Sequence, residues 1–194
     1  MQVLFMEKVI RLIHSFSRTV DFESLVRPHM LRLYRLAYRL TGNGPDAEDL
    51  VQDVLVKLYP KERQLLDIDK LGPWLAKVLY RTFLDQQRRN KRSPLHLVHK
   101  EPHGEFDLLD VIASPTAGPE EATAKNETVA RLQTAINSLN QDQHHLCLLY
   151  YVEGYTLAEL EDILETPLGT LKSRIHRSRH FLRAFLNKGT LSNE

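Results

Sequence analysis

Apolar residues recur at intervals of three and four along almost the whole chain, and this spacing constrains the fold more than any other feature. Such a period follows one face of an α-helix, whereas a half-buried strand alternates every second residue. Two periodic blocks, residues 22–92 and 120–186, flank a stretch that has no sustained period and contains Pro94, Pro102, Pro115 and Pro119. Proline without periodicity indicates a flexible linker. The pattern predicts an all-α protein with two small helical domains joined by that linker.

The same pattern gives approximate boundaries for each part of the chain. Residues 1–20 form an N-terminal extension whose apolar spacing is compatible with a helix. We place the first domain at 21–93, the linker at 94–119, the second domain at 120–188 and a tail at 189–194.

Several classes of protein are excluded at this stage. The longest apolar run, Leu146–Val152, has seven residues, against the roughly 20 that span a bilayer. We therefore expect no direct membrane insertion. The first residues carry charges and no small-residue cleavage site follows, so no secretory signal is predicted. Cys147 is the only cysteine, which excludes an internal disulfide and makes a reducing cytoplasm the expected location.

The second helix of the first block carries a row of acidic and amide side chains. Pro45 stands in its first turn, acidic residues follow, and Pro60 ends it near Tyr59. The polar residues of interest are Asp46, Glu48, Asp49, Gln52 and Asp53. They could form a solvated face, hold a divalent metal for phosphodiester chemistry, or bind a basic partner protein. The metal interpretation is the weakest, because no histidine at ligand spacing accompanies the helix; we predict no metal and no cofactor.

A helix from about Gly72 to Lys91 carries a basic stripe. At 100° per residue four cations lie within roughly 60° of one another, with two aromatic rings at the edges. The candidate residues are Trp74, Lys77, Tyr80, Arg81, Arg88 and Arg92. Cations neutralise phosphates and ring faces stack on unpaired bases, so the stripe suits a single-stranded nucleic acid. The alternatives are a solubilising face and, for Trp74, a core anchor.

The C-terminal block separates its charges sharply. Residues 153–165 hold five acids and no Lys or Arg, and residues 168–188 hold six cations and no acid. Thr156 and Glu159 form a capping box signature, Thr166-Pro167 breaks the helix and Gly169 permits a tight corner. The second helix should bury Leu171, Ile175, Leu182 and Leu186, and expose Lys172, Ser173, His176, Arg177, His180 and Arg183. This is a helix-turn-helix, whose second helix enters a major groove; the alternative is a helical hairpin with a basic surface.

Four stretches of sequence are specific enough to indicate a family. Two segments, LYRLAYRLTG at residues 33–42 and DAEDLVQD at residues 46–53, resemble region 2 of bacterial extracytoplasmic-function (ECF) sigma factors. Two further segments, YVEGYTLAEL at residues 151–160 and GTLKSRIHRSR at residues 169–179, resemble region 4 of the same family. The chain is thus identified as a member of the sigma-70 family.

The resemblance implies a promoter-specificity subunit of RNA polymerase that directs it to stress or envelope-response promoters, with no catalytic activity of its own. The acidic helix would bind core RNA polymerase, and the basic stripe would bind and melt the minus-ten element of promoter DNA. The helix-turn-helix would read the minus-thirty-five element through Lys172, Ser173, Arg174, His176, Arg177 and His180, and would also touch the polymerase flap. The resemblance further implies an anti-sigma factor as a partner.

Two positions depart from the family pattern. Arg81 stands where family members commonly carry asparagine, so the family's base choice at the minus-ten element is not carried over to this chain, and the affinity for phosphates should rise. Leu139-Asn140 replaces a Leu-Pro pair, which should change only a helix start. Two other functions stay open from the residues alone: a helix-turn-helix regulator that binds duplex DNA without polymerase, and a metal-dependent nuclease that uses Asp46, Asp49 and Asp53.

Overall fold

The computed structural model describes residues 20–92 and 131–188, and both parts are helical. Neither described range contains a strand, which confirms the predicted all-α class. Contacts between Cα atoms divide the chain into two compact units, one containing residues 20–92 and the other residues 131–161 and 165–188. Our predictions for the N-terminal extension, the linker and the tail fall on residues outside those ranges.

The N-terminal unit contains five α-helices in the described range. They are α1 (Val20–Val26), α2 (Met30–Thr41), α3 (Gly44–Leu58), α4 (Glu62–Leu65) and α5 (Leu71–Arg92). The apolar spacing from Glu23 to Leu40 alone would allow one continuous helix, but a 3₁₀ turn at Arg27–His29 separates α1 from α2. Pro28 lies in that turn, and proline lacks the N–H that a continuous helix would need there.

The junction between α2 and α3 is built by two adjacent residues. Gly42 ends α2 in the left-handed conformation, with φ of 77°, which glycine adopts without steric cost. The Asn43 side chain then caps α3 by accepting a hydrogen bond from the backbone N–H of Asp46 at 2.9 Å. The two caps together fix where α2 ends and where α3 begins.

The core of this unit lies between α2, α3 and α5. Its most buried apolar side chains include Leu36, Leu40, Leu50, Val54, Leu75 and Leu79, all at most 2% exposed. Burial of these side chains supplies most of the stability of such a unit. It also turns the polar face of α3 and the basic face of α5 away from the core.

We use the name C-terminal unit for the second described range, residues 131–188, and this range has four α-helices. They are α6 (residues 131–137), α7 (Gln141–Cys147), α8 (Leu157–Leu164) and α9 (Leu168–Lys188), and a π-helical turn at Leu148–Val152 extends α7. The Asn140 side chain caps α7 by accepting from Gln143 N at 2.9 Å. The departure at Leu139-Asn140 therefore gives the helix a polar cap in place of a proline.

The turn between α8 and α9 differs in one detail from the prediction. Thr156 and Glu159 form the expected capping box at the start of α8. The corner itself, however, is made by Glu165, whose φ is 49°, and Gly169 lies inside the first turn of α9. The chain must reverse directly after Leu164, so the left-handed position falls on the residue that follows it.

Candidate polymerase and DNA interfaces

The acidic face of α3 is exposed at its centre. The Asp49 and Asp53 side chains are exposed, and Gln52 beside them is half-buried. Asp46 is also exposed, and its Oδ2 atom accepts a hydrogen bond from Asn43 Nδ2 at 2.7 Å. These four residues form one continuous polar surface along α3.

Glu48 lies at the opposite edge of α3, against α2. It is half-buried, and it lies close enough to the phenol of Tyr34 to act on it electrostatically. Burial, followed by the Glu48 charge, raises the pKa of Tyr34. The structure thus separates Glu48 from the other four candidates. No group of three or more metal-ligating side chains occurs within residues 20–92 or 131–188.

The basic face of α5 is accessible along most of its length. Arg81, Arg88 and Arg92 are exposed, and Lys77 is half-buried. Arg88 lies 3.9 Å from Asp85, but both side chains are more than half exposed, so this ion pair contributes little. The predicted cationic stripe is therefore a surface feature of the folded unit.

The two aromatic candidates on α5 differ. Trp74 is half-buried, so part of its ring is accessible. Tyr80 is only 7% exposed and belongs to the core. We expected Tyr80 to flank the stripe, and this was wrong, because Ala76 and Tyr80, one turn apart, widen the buried face of α5. Only Trp74 remains as a candidate surface for stacking.

The outer face of α9 matches the prediction for a recognition helix. The six side chains predicted to face outward are all exposed: Lys172, Ser173, His176, Arg177, His180 and Arg183. Ser173 Oγ donates to the Thr170 carbonyl at 2.9 Å, which leaves the hydroxyl oxygen available as an acceptor. The face therefore carries both charge and hydrogen-bonding groups.

Arg174 is the exception among the candidates on α9. Its guanidinium lies 3.5 Å from the Asp142 carboxylate of α7, and its side chain is 32% exposed. It is therefore turned toward α7 rather than outward with its neighbours. The buried side of α9 also differs from expectation: Leu171 and Ile175 are buried, whereas Leu182 and Leu186 are half-buried.

Those two leucines line an apolar groove of about 350 Å³ in the C-terminal unit. Its walls come from α6, α7 with its π-helical turn, and the second half of α9. The lining residues include Leu132, Ile136, Cys147, Leu148, Leu182 and Leu186, with Arg179 and Arg183 also on the wall. Sequence reasoning missed this groove, because its lining residues run from Leu132 to Leu186 and no local pattern joins them.

One contact orders the edge of the groove. Arg179 donates from Nε and Nη2 to the phenol oxygen of Tyr151, at 3.2 and 3.0 Å. Tyr151 in turn packs edge-on against Tyr150, with ring centroids 4.9 Å apart. The neighbouring Cys147 is 5% exposed, and burial raises the pKa of its thiol, as expected for a packed small apolar residue rather than a reactive one.

Two family models match the chain. Residues 25–93 match sigma-70 region 2, and residues 130–182 match sigma-70 region 4. None of the described helices is long and apolar enough to cross a bilayer.

Similar proteins carry the same family name. The chain is 34% identical to the ECF RNA polymerase sigma factor SigE of Mycolicibacterium smegmatis, over 87% of this chain and 62% of that protein. It is 29% identical to the ECF RNA polymerase sigma factor SigW of Bacillus subtilis, over 84% of this chain and 87% of that protein. The chain thus spans somewhat less than two thirds of SigE and most of SigW.

Two solved structures have a similar fold. The sigma factor RpoE from Bartonella quintana, crystallised with the anti-sigma factor NepR, aligns with a TM-score of 0.60 at 24% identity, over 87% of this chain and 98% of that one. CnrH, in complex with the cytosolic domain of CnrY, aligns with a TM-score of 0.54 at 20% identity, over 86% and 88%. The two family models together match residues 25–93 and 130–182, so the chain belongs to the sigma-70 family, and the relatives named above are ECF sigma factors.

Proposed function

We propose that this protein binds core RNA polymerase through α3 and brings it to stress or envelope-response promoters, which it recognises through α5 and α9. The observation that carries the proposal is the exposure of Asp49 and Asp53 on a helix whose other face is packed in the core. A solvated face would be equally exposed, but the family match favours a basic partner surface. The α3 residues proposed for this contact are Asp46, Asp49, Gln52 and Asp53, whereas Glu48, predicted with them from the sequence, lies against Tyr34 of α2.

At the minus-ten element, α5 would hold the melted strand. Lys77, Arg81, Arg88 and Arg92 would neutralise its phosphates, and the accessible part of Trp74 would stack on an unpaired base. Flipping one base out of the duplex costs a few kcal/mol, and stacking on an aromatic ring returns about 1–3 kcal/mol per base. Several phosphate contacts then make the open strand the favoured state.

At the minus-thirty-five element, the outer face of α9 would enter the major groove. Lys172 and Arg177 are exposed cations of the type that pairs with guanine edges, and Ser173, His176 and His180 add donors and acceptors. Arg174 is turned toward Asp142, so we expect it to contribute less to DNA binding than its exposed neighbours. This contact would tether the polymerase and would need no catalytic group, and we propose that the protein has no enzymatic activity of its own.

We also propose an anti-sigma factor as a partner and the cytoplasm as the place of action. Two structural relatives are described in complexes with anti-sigma factors. The apolar groove of the C-terminal unit supports a protein partner, because its apolar floor and its two arginines fit an amphipathic helix with acidic flanking residues. The polymerase flap, implied by the family resemblance, is a second candidate for the same surface.

The test separates this function from that of a regulator that acts without polymerase. Reversal of both charges, Asp49→Lys with Asp53→Lys, should abolish association with core polymerase and leave binding of a minus-thirty-five duplex unchanged. The matched control is Asp67→Lys with Asp69→Lys, which reverses two exposed acids in the same unit and should leave polymerase association unchanged.

Transcription provides the second readout. Purified protein added to core polymerase should produce promoter-specific transcripts from a set of stress promoters, and the α3 double variant should produce none. The proposal is overturned if no such transcript forms, or if the α3 double variant still binds polymerase.

A further inference from the structure

Two side-chain hydrogen bonds join the acidic helix α3 to the basic helix α5. Gln86 Nε2 donates to Asp53 Oδ2 at 2.9 Å, and Lys57 Nζ donates to Thr82 Oγ1 at 3.2 Å. Asp53 and Lys57 are one turn apart on α3, and Thr82 and Gln86 are one turn apart on α5. The residues pair in opposite order, so the two bonds form an antiparallel pair of rungs between the helices.

The two rungs differ in burial. Thr82 is 4% exposed and Lys57 is exposed, so the Lys57–Thr82 rung has only its Thr82 end in the core. Gln86 is half-buried and Asp53 is exposed, so the second rung ends at the surface. The packing of α3 against α5 holds Gln86 within hydrogen-bond distance of Asp53.

We propose that Gln86 is a positioning residue for Asp53. Its amide holds one carboxylate oxygen of Asp53, so that the other oxygen faces outward to accept a cation of the core polymerase. This inference rests on the proposed function, because it assumes that Asp53 contacts polymerase. Neither the acidic row nor the basic stripe predicted from sequence includes Gln86.

A neutral donor suits this role better than a charged one. A lysine at the same place would orient the carboxylate but would also neutralise it, and a cationic partner would then gain less. The amide of Gln86 orients Asp53 and leaves its full negative charge. Since ordering a free side chain opposes binding, preordering Asp53 should tighten polymerase binding by about two- to tenfold.

The test is a double-mutant cycle in the full-length chain, with affinity for core polymerase as the measurement. The variants are Gln86→Ala, Asp53→Ala and the two together. Asn90→Ala, an exposed amide one turn further along α5, is the matched control and should leave affinity unchanged. Thermal unfolding of each variant shows whether the helical units remain intact.

The cycle gives distinct outcomes for the positioning role and for the proposed function. Support would be a two- to tenfold loss for Gln86→Ala in the natural chain, no further loss in the Asp53→Ala background, and an unchanged thermal midpoint. Equal losses in both backgrounds would overturn the positioning role, as would no loss for Gln86→Ala where Asp53→Ala does weaken binding. If Asp53→Ala itself has no effect, the assignment of Asp53 to the polymerase interface fails, and the positioning role fails with it.

Discussion

Glu161, near the end of α8, accepts a hydrogen bond through Oε1 from the backbone N–H of Leu168, the first residue of α9, at 2.9 Å. The first four N–H groups of a helix have no partner within the helix, and a carboxylate also opposes the positive end of the helix dipole. An acid of α8 therefore fixes the start of the helix that carries the DNA-binding face.

Replacement of Glu161 by alanine should destabilise the C-terminal unit. We expect the free energy of unfolding to fall by about 1 kcal/mol, as for loss of a helix cap. Denaturant unfolding followed by circular dichroism measures this change. Asp162→Ala removes the same charge from the next, exposed position and should have little effect, so equal losses in the two variants would contradict the capping role.

The ion pair between Arg174 and Asp142 leads to a ranking of DNA contacts. Arg174→Ala should reduce affinity for a minus-thirty-five duplex less than Arg177→Ala does, because Arg177 is exposed on the outer face. A base contact through arginine is worth about 1–3 kcal/mol. Fluorescence anisotropy on a labelled duplex measures both variants. A larger loss for Arg174→Ala would show that Arg174 leaves Asp142 when DNA binds.

Local signals were sufficient to predict where α3 and α8 begin. Pro45 and the acidic first turn predicted α3, and the Thr156–Glu159 pair predicted the start of α8; in each case the signal acts within one turn of helix. The exposure of the outer face of α9 also followed from periodicity, because one side of that helix is strongly apolar over its first two turns.

What could not be predicted depends on contacts between distant parts of the chain. The spacing of Tyr80 predicted a position at the edge of the stripe, but packing against other helices places it in the core. Arg174 belongs to the basic sequence of α9, yet Asp142 of another helix determines where it points. The apolar groove and the Gln86–Asp53 bond have no sequence signature, since each joins elements that are far apart in the chain.

The different burial of Trp74 and Tyr80 predicts different consequences of substitution. Tyr80→Ala should destabilise the N-terminal unit by about 3–5 kcal/mol, as large-to-small changes in a core do. Trp74→Ala should cost less stability and should weaken binding of a single-stranded minus-ten oligonucleotide by about 1–3 kcal/mol. Unfolding and anisotropy measurements on both variants test the pair.

Tyr80→Phe serves as the control, because it retains the ring in the core. We expect it to bind the oligonucleotide nearly as well as the natural protein. A loss of strand binding in Tyr80→Phe, without a loss of stability, would mean that the Tyr80 hydroxyl contacts DNA and would contradict its assignment to the core.

The buried Cys147 thiol predicts a pH dependence of stability. Burial raises its pKa above the reference value of 9.0, so the folded protein holds the thiol proton more tightly than the unfolded chain. The contribution of this group is complete below pH 9, and it is lost as the pH rises through the folded-state pKa. Unfolding measured between pH 7 and the alkaline limit should show a decline that is smaller in Cys147→Ala. An identical decline in both proteins would contradict the assignment.

Backbone conformation around the helix-turn-helix predicts which substitutions to and from glycine stabilise the C-terminal unit. Glu165 has φ of 49°, a conformation that costs a residue with a side chain about 1 kcal/mol relative to glycine. Glu165→Gly should therefore stabilise the C-terminal unit. Gly169 lies in the first turn of α9, and a Cβ atom added there would meet no other atom within 4 Å, so Gly169→Ala should also stabilise it, by up to about 1 kcal/mol.

Gly154 is the matched control for both changes. Its φ is 70° and the space around it is also open, so Gly154→Ala differs from Gly169→Ala mainly in backbone conformation and should destabilise the unit by about 1 kcal/mol. Thermal midpoints of the three variants give the order directly, with Gly154→Ala below the natural protein and the other two above it. If Gly169→Ala lowered the midpoint as Gly154→Ala does, the corner of the helix-turn-helix would lie at Gly169, and Glu165 would not be its left-handed residue.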